Sequence, residues 1–134
     1  MVFRTVNGSA NRRSTGFTLI ELLVVMAIIA TLLMIAVPRY FRSLEQAKEA
    51  TLRQDLAVMR DSIDKYFGDN GQYPAQLADL VEKRYLRAIP PDPITKSTES
   101  WVVVASDDPE HEGIRDVQSG AEGATANGTP YETL

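Results

Sequence analysis

The first third of the chain holds one long apolar run. Residues 17–37 are apolar except for Thr18, Glu21 and Thr31. As a helix this run would be about 31 Å long at about 1.5 Å per residue, which matches the hydrocarbon thickness of a bilayer. The rest of the chain has too little apolar surface to bury such a helix on all sides, and a secretory signal has a shorter run and a small-residue cleavage site. The pattern therefore predicts a retained transmembrane helix, covered by lipid or by other copies of the chain.

After Pro38 the pattern becomes that of an amphipathic helix. Apolar residues recur at steps of three and four, which places them on one helix face: Leu52, Leu56, Met59, Ile63, and Tyr66 or Phe67. A proline removes a backbone donor and clashes with the preceding turn, so we expect a kink at Pro38. The turn cluster at residues 68–71 should end the helix. One kinked helix is therefore predicted from Phe17 to about Phe67.

The C-terminal part of the chain predicts short elements. Residues 72–93 contain a short amphipathic helix and then a proline-rich turn. Residues 100–105 and 113–117 are rich in β-branched residues and predict two strands, most simply paired as a hairpin around an acidic loop. The Gly-, Ala-, Ser- and Thr-rich tail predicts a loop, with a third short strand or an ordered tail around Tyr131 as alternatives. The fold class is α+β: a long kinked helix packed on a small domain with a short helix and an antiparallel sheet.

Composition and charge narrow the possible functions. A chain of 134 residues holds at most one globular domain. Residues 1–16 contain Arg4, Arg12 and Arg13 and no acid, so the remainder carries 11 basic and 18 acidic residues, a balance of −7. Such an acidic body would be repelled by phosphates, and no nucleic acid is expected as a partner. The chain has no cysteine, which excludes disulfides, thiol chemistry and Cys-ligated zinc.

Two stretches resemble a known family. The run "GFTLIELLVVMAIIATLLMIAVPRY" resembles the N-terminal signature of type IV pilins and their relatives, in which a basic leader ends in Gly before Phe-Thr-Leu-Ile-Glu and a long apolar helix. The segments "RQDLAVMRDSIDKYFGDNGQYP" and "LADLVEKRYLRAIPPDPIT", followed by a Trp-led strand, are similar to the major pseudopilin family of type II secretion systems. The absence of cysteines fits this family as well.

The resemblance implies processing, location and partners. Residues 1–16 would be a prepilin leader, 17–38 the transmembrane and filament-spine helix, and 39–134 a periplasmic or extracellular domain. A prepilin peptidase would cleave between Gly16 and Phe17 and N-methylate Phe17. The subunit would cross the bacterial inner membrane once, surrounded by lipid, and then join a helical homopolymer. Its other partners would be minor pseudopilins, an inner-membrane platform protein and an assembly ATPase; the subunit itself would not be an enzyme.

Glu21 is an acidic residue inside the predicted transmembrane helix, and its presence there needs an explanation. A carboxylate without a partner in lipid would protonate or be expelled. The nearest cation is the α-amine that cleavage would free on Phe17, in the same subunit or in a neighbour. We therefore expect Phe17 and Glu21 to be the assembly residues, with the pair between neighbours setting their axial register. The alternative is that Glu21 simply lies at the lipid headgroups. In the family, a proline such as Pro38 accompanies a helix region that can loosen in the filament.

The family also implies a calcium site in the C-terminal loop. Asp116 and Ser119 match its start, and Glu122 and Asn127 could add oxygens, of which calcium takes about six to eight. A dense acidic terminus is missing here, so calcium is only a possible cofactor, and the alternative is a loop held by its own hydrogen bonds. We expect metal dependence to be weak.

Three functions remain open from the sequence. The first is a structural pseudopilin that polymerises into a periplasmic filament of a type II secretion system, which drives protein export across the outer membrane. The second is a type IV pilin of a surface pilus for adhesion, motility or DNA uptake. The third is a membrane-anchored binding protein that does not polymerise. The first two predict a polymer and the third does not, and neighbouring genes for a secretin, an assembly ATPase and a platform protein would separate them further.

Overall fold

The computed structural model describes residues 1–4, 8 and 15–134. Most of the predicted leader, including Arg12 and Arg13, lies outside the described residues. The chain divides into two compact units, Met1–Arg39 and Tyr40–Leu134, which are treated separately below. The fold class is α+β, as predicted from the sequence.

The predicted apolar helix is present in the first unit. Helix α1, Leu19–Asn70, begins there, and its most apolar 18-residue window has a mean hydropathy of 2.8 with none of its residues buried. It is the one helix in the described part of the chain that is long and apolar enough to cross a membrane. The hydroxyl of Thr31 donates a 2.8 Å hydrogen bond to the Ala27 carbonyl, so this polar group is satisfied inside the helix.

Pro38 lies inside α1, and the helix continues through it. Because proline has no backbone N–H, the carbonyl of Met34 lacks the partner that helix geometry would give it. This is the position where the sequence predicts a kink, and the kink stays a prediction.

In the second unit, one face of α1 forms half of the core. Leu52, Leu56, Met59 and Ile63 are at most 1% exposed, which confirms the predicted apolar stripe. Tyr66 completes it at 8% exposure, while its neighbour Phe67 is only half-buried. Of the two residues that could end the stripe, the structure therefore selects Tyr66.

The C-terminal end of α1 lies within the predicted turn cluster, one residue before its last residue. The helix passes Gly68 and ends at Asn70, three residues beyond the predicted Phe67. Gly71 has a φ of +70°, a left-handed conformation that glycine adopts without steric cost. Its N–H donates to the Phe67 carbonyl at 2.8 Å, and the Asn70 side chain donates to the Tyr66 carbonyl at 2.8 Å. Gly68 did not stop the helix because the left-handed residue is Gly71.

The remaining elements are short. They are helix α2, Leu77–Glu82, strand β1, Trp101–Ala105, strand β2, Ile114–Ser119, and a 3-10 helix, Tyr131–Thr133. The two strands pair antiparallel, as the predicted hairpin requires, with an irregular register next to Val104. Strand β2 extends two residues beyond its predicted end. In residues 120–134 the chain forms an isolated bridge and the 3-10 helix, so the ordered-tail alternative is the correct one.

The hairpin covers the buried stripe of α1. Trp101 is 7% exposed and its indole N–H donates to the Pro90 carbonyl at 2.8 Å, which makes it an anchor of this core. Gly113 fixes the other end of the hairpin. Its φ is +124°, and a Cβ there would lie 2.6 Å from the Tyr73 carbonyl oxygen. The hairpin can therefore approach this backbone closely only with glycine at that position.

Removing a buried side chain should destabilise this unit. Leu56→Ala is expected to lower the free energy of unfolding by roughly 2–5 kcal/mol, because Leu56 is 1% exposed and truncation leaves a cavity. Leu44→Ala is the matched control, since Leu44 is 39% exposed, and should cost less than about 1 kcal/mol. Denaturant unfolding of the full chain in detergent, followed by the fluorescence of the single Trp101, measures both. Equal losses for the two variants would contradict the assigned core.

Candidate functional site

The segment that carries the predicted cleavage site precedes α1. Gly16 and Phe17 lie outside the helix and are exposed, Phe17 at 94%. A Cβ built on Gly16 would meet nothing within 4 Å, and the residue has no left-handed φ. Within the described residues, neither space nor backbone conformation therefore requires glycine at position 16, in contrast to Gly113.

The helix opens with a reciprocal cap between Thr18 and Glu21. The backbone N–H of Thr18 donates to Glu21 Oε2 at 2.7 Å, and the N–H of Glu21 donates to Thr18 Oγ1 at 3.2 Å. Thr18 is the residue before the first helical residue and Glu21 is the third helical position, so the two form a capping box. This cap explains why the helix begins at Leu19 and not at Phe17. The Thr-x-x-Glu spacing signals it in the sequence, but our sequence reading missed it.

The cap uses only part of the acceptor capacity of Glu21. Among the described residues, its Oε1 atom accepts no hydrogen bond, and the side chain is exposed. Glu21 also lies at a shallow apolar groove of about 380 Å³, together with Phe17, Ile20, Val24 and Val25. An amine placed here could therefore bond to the carboxylate without breaking the cap.

The residues proposed for calcium are engaged elsewhere. Arg60 Nε donates to Asp116 Oδ1 at 2.7 Å, and Ser119 Oγ donates to Asp92 Oδ2 at 2.5 Å. Asp116 and Ser119 are three residues apart on β2, so their side chains leave opposite faces of the strand. The two cannot place side-chain oxygens on one ion while this strand is intact.

The other two calcium candidates do not complete a ligand set. Ser119 and Glu122 line one surface cavity of about 410 Å³, which Asp116 and Asn127 do not line. Over residues 15–134 the structure contains no group of three or more His, Cys, Asp or Glu side chains that could hold a metal ion. The four residues therefore do not fit a single cation site in this conformation.

Two buried carboxylates hold the C-terminal loops instead. Asp92 is completely buried, and besides Ser119 it accepts the N–H of Ile94 at 2.8 Å. Glu49 on α1 is 6% exposed and accepts the N–H of Ala126 at 2.6 Å. Each acid binds a partner that is distant in sequence, 27 residues away for Asp92 and 77 for Glu49, so the spacing of residues did not reveal their structural role.

These carboxylates also affect nearby titrating groups. Burial, and then the negative charge of Asp92, raises the pKa of Asp55 above its ordinary value. Burial, and then Glu49, raises the pKa of the Tyr131 phenol. The region is therefore acidic and partly desolvated, and it is held by hydrogen bonds from its own backbone and hydroxyl groups.

Arg60 ties the last part of the chain to α1. Besides Asp116, its guanidinium donates through Nη2 to the carbonyl of Val117 at 3.0 Å and to that of Leu134 at 2.6 Å. A guanidinium can make these bonds together because its donors lie in one rigid plane. Arg60 is thus a structural residue that the sequence analysis did not single out.

The acidic hairpin loop packs on the end of α1. His111 Nδ1 lies 2.7 Å from Asp108 Oδ2, and its ring centroid is 5.2 Å from that of Phe67. The bond to His111 lowers the pKa of the Asp108 carboxyl. Arg115 Nη1 donates to Asp107 at 2.9 Å. The loop is therefore anchored by the Arg115–Asp107 ion pair, by the contact of His111 with Asp108 and by an aromatic contact.

Comparison with known proteins agrees with the N-terminal geometry. The family model of the prokaryotic N-terminal methylation motif matches residues 11–37. The type II secretion system core protein G of Dickeya chrysanthemi is 31% identical over 73% of this chain and 64% of its own length, and that of Pseudomonas aeruginosa is 33% identical over 61% and 69%. The type IV major pilin protein PilA of Myxococcus xanthus is 33% identical over 47% of this chain and 29% of its own length. No solved structure matches.

A long apolar helix that begins with Leu-Ile-Glu directly after Gly-Phe-Thr, and a small α+β unit, define a protein of the type IV pilin-like class. Within that class, the chain belongs to the family of type II secretion system core protein G, and it spans about two thirds of the length of these relatives. The apolar helix and the relatives fit a membrane-anchored protein. The relatives are named as secretion-system core and pilin proteins, and not as enzymes.

Calcium removal should change the stability of this protein little. Calcium would first have to displace Arg60 from Asp116, or Ser119 from Asp92. We expect the thermal unfolding midpoint of the full chain in detergent to differ by only a few degrees with and without a chelator. A large rise with calcium that disappears in Asp116→Asn would contradict this expectation and show that the loop rearranges into a site.

Proposed function

We propose that this chain is a pseudopilin that polymerises into a periplasmic filament of a type II secretion system and so drives protein export across the outer membrane. The observation that carries the proposal is the uncovered apolar part of α1, whose only acid stands at its start. A helix that is apolar on all sides needs lipid or protein around it. Lipid would cover it before assembly, and the same segment of other copies would cover it in the filament.

Cleavage between Gly16 and Phe17 would prepare the subunit for assembly. The bond is exposed and lies outside the helix, as a protease substrate requires. Since space and backbone conformation do not require glycine at position 16, the requirement would come from a prepilin peptidase that accepts no side chain there. Thr18 keeps its N–H after cleavage, so the cap to Glu21 would survive and hold the carboxylate next to the new amine.

The charge on Glu21 would then guide docking. In the filament, the α-amine of Phe17 on an incoming copy would meet Glu21 of its neighbour. At 4 Å and an effective dielectric near 20, such a pair is worth about 4 kcal/mol before the cost of desolvating both charges. The two groups are four residues apart along the chain, so pairing between neighbours would displace parallel copies by about 6 Å along the axis.

The remaining partners follow from the same role. The subunit would cross the inner membrane once, with Tyr40–Leu134 in the periplasm. An assembly ATPase and a platform protein would move subunits from the membrane into the filament, and minor pseudopilins would join it. Family membership supports these partners, and the processing and assembly residues support the membrane route.

A surface pilus is the second candidate function. The match to the Myxococcus xanthus pilin over 63 residues favours it. A secretion filament and a surface pilus use the same cleavage and the same helix, so deletion separates them: loss of exported proteins indicates secretion, and loss of twitching or DNA uptake indicates a pilus. A membrane-anchored binding protein would form no polymer at all.

Processing is directly measurable. We expect filament-assembled protein to begin at an N-methylated Phe17, because Gly16–Phe17 is exposed and precedes the helix. Mass spectrometry of sheared filaments measures the N-terminus. Assembled material that still begins at Met1 would contradict the proposal.

The charge and the cap of Glu21 can be separated by two substitutions. Glu21→Gln keeps a side chain that can complete a capping box but removes the charge, so cleavage should continue while filament yield falls sharply. Thr18→Val is the matched control, because it removes the hydroxyl half of the cap and keeps the charge; its filament yield should fall much less. Each variant is expressed as the only copy, its cleavage is checked on a gel, and its filaments are counted. Normal yield from processed Glu21→Gln protein would refute the pairing and leave Glu21 as a headgroup-level residue.

A further inference from the structure

Two exposed glutamates in the hairpin loop form no ion pair with another described residue. Of the acids in residues 106–112, Asp107 pairs with Arg115 and Asp108 with His111. Glu110 and Glu112 are exposed, and over residues 15–134 neither takes part in an ion pair. The loop therefore presents two negative charges to its surroundings.

Two exposed arginines on α1 also form no ion pair with another described residue. Arg42 and Arg53 are eleven residues apart, close to three full turns, so they lie on one side of the helix. Both are exposed, and neither forms an ion pair with another described residue. Arg60, seven residues further on and on the same side, already binds Asp116 of the hairpin. We call Arg42 and Arg53 the arginine stripe.

The loop and the arginine stripe cannot meet within one subunit. The loop is held at the C-terminal end of α1 by the contact of His111 with Phe67. Arg53 lies 14 residues and Arg42 25 residues before Phe67, which is about 21 Å and about 37 Å along the helix axis. These distances exceed the combined reach of an arginine and a glutamate side chain.

We propose that Glu110 and Glu112 of one copy dock on the arginine stripe of a second copy, displaced by about 21–37 Å along the filament. The inference rests on the proposed filament, in which all copies point the same way and are displaced along one axis. Such a displacement brings the distal loop of one copy level with the arginine stripe of another. The opposite charges steer the copies together and disfavour registers that place like charges face to face.

The surroundings of the stripe also fit a second copy. Tyr40, 65% exposed, and Phe41, 58% exposed, lie at the level of Arg42 but about 200° and 100° around the helix from it, so this part of α1 carries exposed apolar surface on sides other than the stripe. In the sequence these residues directly follow the apolar segment that the filament would cover. A second copy supplies both the acidic loop and apolar side chains, and it is present at equal stoichiometry.

The absence of cysteine makes the contact testable by disulfide trapping. One copy carries Glu112→Cys and a co-expressed copy carries Arg53→Cys. Mild oxidation of sheared filaments should give a disulfide-linked dimer. The matched control replaces Arg53→Cys by Gln54→Cys, which is also exposed but points about 100° away around the helix, and should give several-fold less dimer.

Charge reversal tests the same contact independently. Glu110→Lys with Glu112→Lys should reduce filament yield several-fold, and so should Arg42→Glu with Arg53→Glu. Combining all four reversals in one chain should restore much of the yield, because the opposite charges face each other again. The fluorescence of Trp101 reports whether each variant is folded. If a charge-reversal variant is not folded, the disulfide experiment alone tests the docking contact.

The outcomes separate the two proposals. Filaments of the Glu112→Cys and Arg53→Cys pair that give no dimer above the Gln54→Cys control, together with normal yield from both charge reversals, would overturn the docking contact and leave the filament role intact. If the wild type forms no filament at all, the proposed function fails and the docking contact fails with it. Trapped dimer and rescued yield in the four-residue reversal would support both.

Discussion

Apolar surface that the chain cannot cover alone is the constraint on which the rest of the structure depends. Before Pro38, α1 is apolar all round and exposed, whereas after Leu52 only one stripe is apolar and it is buried. One continuous helix therefore has two different requirements. Its second half obtains its cover from the hairpin and α2, and its first half must obtain it from outside the chain. Because apolar burial is the dominant favourable term in folding and association, this requirement determines where the protein can exist.

The unit Tyr40–Leu134 is small, and polar contacts of long sequence separation supplement its core. Arg60 binds the hairpin and the last residues, Asp92 binds the end of β2, and Glu49 binds the loop at Ala126. Bonds to charged groups are stronger than neutral ones, and each of these acceptors or donors is at least half removed from water. A domain without disulfides can therefore hold a loop rich in glycine and alanine in one conformation.

Periodicity and residue type were sufficient to predict the helix, its buried stripe and the hairpin, because these depend on local spacing. Leu52 to Ile63 could be assigned to one face without any knowledge of what packs on it. The partners of Arg60, Asp92 and Glu49 could not be predicted, because they depend on the tertiary fold. Asp116 is 56 residues from Arg60, and the partners of Asp92 and Glu49 lie in other distant segments of the chain. Asp116 and Ser119 were grouped by nearness in sequence, whereas strand alternation places their side chains on opposite faces. The roles proposed for Gly16, Phe17 and Glu21 depend on a peptidase and on neighbouring copies, which lie outside the chain.

The path of the chain also sets the order in which the protein can be made. The stripe on α1 ends at Tyr66, but strand β1, which covers it, begins only at Trp101 and β2 at Ile114. At a synthesis rate of about 5–20 residues per second, the stripe leaves the ribosome roughly two seconds or more before its cover does. During that interval the first half of the helix can already enter the bilayer, while the second half carries apolar side chains that have nothing to pack against. Membrane insertion can therefore precede the folding of the C-terminal unit, and the stripe is the part of that unit that is synthesised well before its cover.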